Sequence, residues 1–215
     1  MDLQDALSTG AGYCRRMVEP AEVERIFRDA GAFREGHFLL SSGRHSPMYL
    51  EKFWVLQWPD KTQRLCEGLA ERARELRAAT VAGPTTGGII LAHEVARQLG
   101  ARAVYAERED GRSGRVLRRG FALARGERVL VVDDIMTTGG SVQETIDAVR
   151  ASGGQVVGAA VLVDRSGGRA SLGVPLIALW SLDIPAYAAE ACPLCARGTP
   201  LTKLGTTPAR AAQAV

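Results

Sequence analysis

Lysine is nearly missing from this chain. Only Lys52, Lys61 and Lys203 occur, so no ammonium group can act between positions 62 and 202. Of the 27 lysines and arginines together, the other 24 are arginines. Net charge is scarce as well, at +3 over 215 residues, which is too weak to suggest a nucleic-acid surface. No apolar run approaches the roughly 20 residues that a membrane-spanning helix needs. The opening stretch "MDLQDALSTGAGYCRRM" carries acids where a secretory signal would carry an apolar core, so the cytoplasm is the expected setting. Cysteines are few: Cys14, Cys66, Cys192 and Cys195 do not make a secreted disulfide framework. Cys192 and Cys195 form a CxxC in "ACPLCARG", half the ligand set of a closed zinc site, and a knuckle of reduced thiols is the simpler expectation.

What is present reads as one sizeable domain. Residues 1–18 form an extension without periodicity, and Met17 would serve equally well as a start. In "EPAEVERIFRDAG", Pro20 suits a first helical turn, Val23, Ile26, Phe27 and Ala30 share a face, and Gly31 ends it. "HFLL" and "SPMYLEKFWVL" read as two strands around an "SSGRH" turn, a small hood over about 37–56. An amphipathic helix is predicted over 60–78. Strand, loop and helix then alternate: "TVAG" through "PTTGG" into "IILAHEVARQLG", "AVYA" into an Arg-rich loop at 107–120, and "RVLVV" through "DDIMTTGG" into "SVQETIDAVRASGG". "VVGAAVLV" and "LIALW" add two more apolar runs. That alternation predicts an α/β fold, a parallel sheet flanked by helices, spanning 19–198, with a poorly ordered tail at 199–215.

Chemistry concentrates in "VLVVDDIMTTGGS". Ligands of open parallel sheets bind beyond the carboxyl ends of the strands, where Asp133 and Asp134 fall. Thr137, Thr138, Gly139, Gly140 and Ser141 turn into a helix whose first N–H groups can converge on an anion. The carboxylates beside them suit sugar hydroxyls or the water shell of a metal. Together they fit the two ends of a ribose phosphate. A Walker B strand also ends in acids, but no GxxxxGK[ST] accompanies it. A receiver domain would leave the TTGGS turn without a role.

The same segment resembles the phosphoribosyl-diphosphate (PRPP) signature of type I phosphoribosyltransferases. The resemblance implies that Asp133 and Asp134 are catalytic and hold the ribose hydroxyls, and that Ile135, Met136 and Thr137 through Ser141 bind PRPP around its 5′-phosphate. "GHFLLSSGRHSPMYLEKF", "GPTTGG", "AERE" and "VDRSGG" extend the likeness, over about residues 20–182, to orotate phosphoribosyltransferases. It implies that Thr85, Thr86, Gly87 and Gly88 face the diphosphate, and that Arg108 assists catalysis from a mobile loop. Arg165, Arg44, Tyr49 and Thr137 would line the orotate site. A guanidinium at a strand end is suited to clamp a carboxylate bidentately, and orotate carries one. Mg²⁺, held mainly by substrate and water, is the implied cofactor, so no protein metal ligands are expected.

Three lysine positions of that family hold Ser41, Gly87 and Glu109 here. Lys52 is near enough in sequence to compensate, and Arg108, Arg112, Arg115, Arg118 and Arg119 crowd the mobile loop, which leaves open which of them meets the diphosphate. The resemblance implies a homodimer whose loops cross the interface, with PRPP and orotate as small-molecule partners and neither nucleic acid nor membrane. A purine phosphoribosyltransferase shares the core and is the first alternative. A non-catalytic PRPP- or nucleotide-sensing regulator is the second, although residues 1–60 show no helix-turn-helix or basic face.

Overall fold

The computed structural model describes residues 17–40, 42–109, 111 and 113–204. The expected extension up to residue 16, Ser41, Arg112 and the end of the tail lie outside them. Helix α1, Pro20–Asp29, starts on its proline and buries Val23 and Phe27. Strands β1, Phe33–Leu39, and β2, His45–Leu50, form the antiparallel hairpin of the hood. The expected second strand stops early. Residues Phe53–Leu56 are instead a helical turn, α2, which buries Val55 and Leu56 and leaves Phe53 and Trp54 exposed. Val55 and Leu56 share the inward side of that turn, and Phe53 and Trp54 share the outward one. Helix α3 covers Pro59–Ala73 and ends in a 3₁₀ turn at Arg74–Leu76.

From β3, Thr80–Pro84, the units alternate as the sequence predicts: α4, Gly87–Leu99; β4, Arg102–Glu107; β5, Val116–Leu117; β6, Arg128–Met136; α5, Gly140–Ala151; β7, Gln155–Asp164; and β8, Leu176–Ser181. The sheet runs β5-β4-β3-β6-β7-β8, parallel except for β5 against β4. Strand β6 is apolar from Val129 to Val132, where both its faces are covered. Leu130 and Val132 pack with Leu65, Leu91 and Leu162 under α3 and α4, while Val129 and Val131 pack with Val142, Ile146 and Val149 of α5. No helix among the described residues is long and apolar enough to cross a membrane.

This strand order fixes where a ligand can enter. The connection from β3 runs outward to β4, that from β6 runs outward to β7, and β3 and β6 are neighbours. Between them the winding reverses, and a crevice opens at such a switch point. Pairing of β3 with β6 ends at Ala82 and Val131, while β6 stays paired with β7 as far as Met136 and Asp164. The last five residues of β6 therefore form one wall of the crevice.

Parts of two stretches expected to be loose are tied down. Within the loop 107–120, Val116 and Leu117 pair with Glu107 and Ala106, which anchors it on its own sheet. Residues 199–204 run beside the hood instead of forming a detached tail: the N–H of Leu39 donates to Thr202 O at 2.9 Å, and the N–H of Thr202 to His37 O at 2.8 Å. A last short helix, α6 at Pro193–Ala196, holds Cys195 of the CxxC, and Cys192 immediately precedes it.

Candidate active site

The crevice is flanked by two helix starts that no side chain caps. Helix α4 begins after Thr86 and α5 after Gly139, neither with a capping hydrogen bond nor with an acid in its first turn. Their first N–H groups are available to an anion. Gly139 takes φ +84, which a side chain would resist, and turns the chain from β6 into α5. Thr137, Thr138 and Gly140 are exposed around that turn, and Ser141 is half-buried.

Asp133 and Asp134 lie within β6, at 5% and 1% exposure. The Ser141 hydroxyl donates to Asp133 Oδ2 at 2.6 Å, and the Asp134 N–H to Asp133 Oδ1 at 2.9 Å. Asp134 Oδ1 accepts from the N–H of Ile135 at 2.7 Å and stands 3.1 Å from Lys52 Nζ. Asp134 Oδ2 is buried without a hydrogen-bond partner. Burial pushes the Asp134 carboxyl up to about 6, Asp133 repels its charge further, and Lys52 opposes the shift. Burial raises Asp133 as well, against the Ser141 hydroxyl, the Asp134 N–H, Lys52 and Arg115.

The expected compensation by Lys52 thus has a geometry: its ammonium reaches the acid pair from just after β2. Gly87 explains the neighbouring departure. A Cβ there would stand 2.0 Å from Asp134 Oδ2, so a lysine at this position would displace the buried carboxylate. Gly88 is buried beside it, Thr85 is half-buried and Thr86 exposed.

The loop arginines separate. Arg115 has 8% side-chain exposure, and its Nη1 donates to Thr85 Oγ1 at 3.0 Å and to Ala106 O at 3.3 Å. Its Nε stands 3.2 Å from Glu144 Oε2. Arg108, the expected catalytic arginine, has 71% side-chain exposure and meets the same Glu144 at 3.3 Å. Arg118 and Arg119 both pair with Glu107. Nothing in the order of these residues distinguishes Arg115, whose burial depends on the β4–β5 pairing.

Arg165 follows β7, and its N–H donates to Met136 O at 2.7 Å, which sets it at the lip of the crevice beside the 137–141 turn. Its Nε is buried without a partner, and burial pushes its pKa below the usual arginine value. An uncompensated guanidinium N–H is costly, and an incoming carboxylate supplies the acceptor. Arg44 and Tyr49 are engaged within their own region: Arg44 donates to Ala186 O, and the Tyr49 hydroxyl donates to Glu51 Oε2 at 3.4 Å. Tyr49 also stacks with Phe38, ring centres 5.6 Å apart. In this arrangement both serve the hood and do not contact the acid pair.

A switch-point crevice with two open helix starts and a buried acid pair has the chemistry that suits a phosphorylated sugar. Residues 59–172 match the phosphoribosyl transferase domain family. The chain is 49% identical over 189 residues to the orotate phosphoribosyltransferase of Caldanaerobacter subterraneus subsp. tengcongensis, covering 88% of this chain and 98% of that one. It is 51% identical over 185 residues to the orotate phosphoribosyltransferase of Pelotomaculum thermopropionicum, covering 86% and 96%. The crystal structure of orotate phosphoribosyltransferase from Aeropyrum pernix superposes with a TM-score of 0.62 at 29% identity, over 74% of this chain and 93% of that one. The chain belongs to the phosphoribosyltransferases, and within them to the orotate phosphoribosyltransferase family.

Proposed function

We propose that this enzyme transfers the 5-phosphoribosyl group of PRPP to orotate, giving orotidine 5′-monophosphate and diphosphate. The observation that carries the choice of base is Arg165, whose buried, unpaired Nε at the crevice lip calls for an anionic acceptor. The α5 start, with Thr137 through Ser141, receives the 5′-phosphate. Asp133 and Asp134 accept from the ribose hydroxyls, and the α4 start, with Thr85 through Gly88, receives the diphosphate.

Breaking the C1–O bond leaves positive charge on the ribose ring and negative charge on the departing diphosphate. Two carboxylates held under the sugar favour the first. Arg115, already at Thr85, favours the second, and Arg108 joins it when the loop closes. No side chain becomes a nucleophile. The hard oxygen donors of the acid pair also fit the water shell of Mg²⁺, which would neutralise the diphosphate when bound. Incubation with PRPP, Mg²⁺ and each base in turn tests the reading. Orotidine monophosphate is expected from orotate, and turnover of a purine base with none of orotate would replace it by the purine alternative.

The homodimer belongs to the same proposal. Phe53, Trp54, Trp58 and Ile90 leave large apolar side chains on the surface, of the kind that self-association covers. Hybrids pairing an Asp133→Asn/Asp134→Asn subunit with one whose loop arginines are alanine test loop sharing. An intact loop reaching across to the intact acid pair restores activity. Verified hybrids that stay inactive would mean each loop serves its own subunit, as the contact of Arg115 with Thr85 within one chain would allow.

A further inference from the structure

The CxxC plays no part in this chemistry, yet the fold does not leave it alone. His37 of β1 and His45 of β2 come from the hood hairpin, and Cys192 and Cys195 come from the segment around α6. One ligand-capable atom from each lies within 4.8 Å of every other. His37 Nε2 is 3.0 Å from His45 Nδ1, 3.5 Å from Cys192 Sγ and 3.7 Å from Cys195 Sγ, and Cys195 Sγ is 3.3 Å from His45 Nδ1. His37, His45 and Cys192 are buried, and Cys195 is exposed.

Hydrogen bonding alone leaves this cluster crowded. His37 Nδ1 is 2.7 Å from Thr199 O, a pure acceptor, so the proton sits on Nδ1 and Nε2 keeps a single lone pair. Three neighbours crowd that lone pair, and it can accept from only one of them. A metal removes the conflict, because four lone pairs then converge on one centre. A tetrahedron with Zn–S of about 2.3 Å and Zn–N of about 2.0–2.1 Å has edges of roughly 3.3–3.8 Å, which the 3.3, 3.5 and 3.7 Å spacings meet and the 3.0 Å between the two imidazoles falls just short of. The Thr199 carbonyl supplies the outer contact that orients a metal-bound imidazole.

We propose that His37, His45, Cys192 and Cys195 form a structural zinc site. Two thiolates, two neutral imidazoles and Zn²⁺ sum to zero charge, which suits a largely buried position. Thiolate and imidazole select zinc over magnesium or calcium. Four protein ligands leave no open position, so the site holds structure and does no catalysis. It pins the hood hairpin to the C-terminal segment, alongside the paired N–H and carbonyl groups of His45 and Tyr187, at 2.8 Å in both directions.

The test uses the full chain purified without a histidine tag under reducing conditions. Elemental analysis is expected to find about one zinc per chain, as a four-ligand site requires. Cys195→Ser and His45→Asn should lose it, whereas Cys66→Ala, which removes a buried thiol outside the cluster, should keep it. Should the cluster variants fail to fold, native chelation of the wild type followed by Co²⁺ addition replaces them. The expected spectrum has the strong visible bands of tetrahedral cobalt and a thiolate-to-metal charge-transfer band. Amide exchange over 33–50 and 199–204 should rise on chelation and fall on refilling. Protein that is isolated metal-free and gives no tetrahedral cobalt spectrum would overturn the proposal, as would zinc that both cluster variants retain.

Discussion

The tetrapeptide Thr-Thr-Gly-Gly occurs twice, at 85–88 and 137–140, each time between a buried strand and a helix. The two copies are not built alike. In the first, both glycines are already helical and buried, and Gly87 is set by crowding, since Asp134 Oδ2 occupies the space of a Cβ. In the second, Gly139 is set by its own backbone at φ +84, and only Gly140 is helical. Identical letters thus serve a close approach in one turn and a left-handed residue in the other. What surrounds them decides: Pro84 ahead of the first, Ser141 bonded to Asp133 behind the second.

Substitutions can set the two turns against each other. The largest effect is expected from Asp133→Asn with Asp134→Asn, which removes the charge both turns face. Turnover should fall by roughly 10²–10³-fold or more, as for loss of a preorganised electrostatic group, while circular dichroism stays unchanged. Full activity in the folded double variant would end the assignment of the pair. Gly87→Ala should come next, with lost activity together with altered titration of Asp134 in carboxyl NMR, because the new methyl meets that carboxylate. Gly139→Ala should instead lower stability by about 1–2 kcal/mol through backbone strain and leave the titration alone. If both variants moved the titration equally, the distinction between the turns would collapse.

Arg165→Ala tests the lip rather than the turns. Losing one charge-assisted bond costs about 1.5–3 kcal/mol, so KM for orotate should rise roughly tenfold to a hundredfold while that for PRPP changes little. Equal rises would remove Arg165 from base recognition.

A further effect concerns pH. Burial holds Asp134 near 6, above its usual 3.8, so between about pH 4 and 6 the folded chain keeps a proton that the unfolded chain has released. Stability present below that window is lost as pH rises through it. Asp134→Asn cannot ionise, and it should melt higher than wild type above pH 6 and similarly near pH 4. A shift of this size sets a ceiling of about 3 kcal/mol. A wild-type melting temperature that instead climbs relative to the variant from pH 4 to 7 would contradict the raised carboxyl.

The alternation of apolar runs and glycine-rich turns made the sheet and its crevice readable, because each unit is local and its period differs from its neighbours'. The acid pair and the 137–141 turn were readable for the same reason. Phe53–Leu56 misled because aromatic and β-branched residues favour strands, while burial of Val55 and Leu56 against the core selects a helical turn. Lys52 beside Asp134, Arg115 beside Thr85, and His37 with His45 beside the CxxC are meetings of distant segments. Periodicity carries no trace of them, and only strand order and the path of residues 182–204 bring them about.

The early end of the β3–β6 ladder has a consequence for the wall itself. Beyond Val131 the β6 backbone is a raw edge inside the molecule, of the sort that invites a stray strand or slow fraying. The acids bond the backbone there themselves: the Asp133 carboxylate takes the Asp134 amide and the Asp134 carboxylate takes that of Ile135. Ligand-facing charge and backbone insulation reside in the same two side chains. Deuterium uptake at the Asp134 and Ile135 amides should therefore report the protonation of those carboxylates, even in protein that holds no substrate.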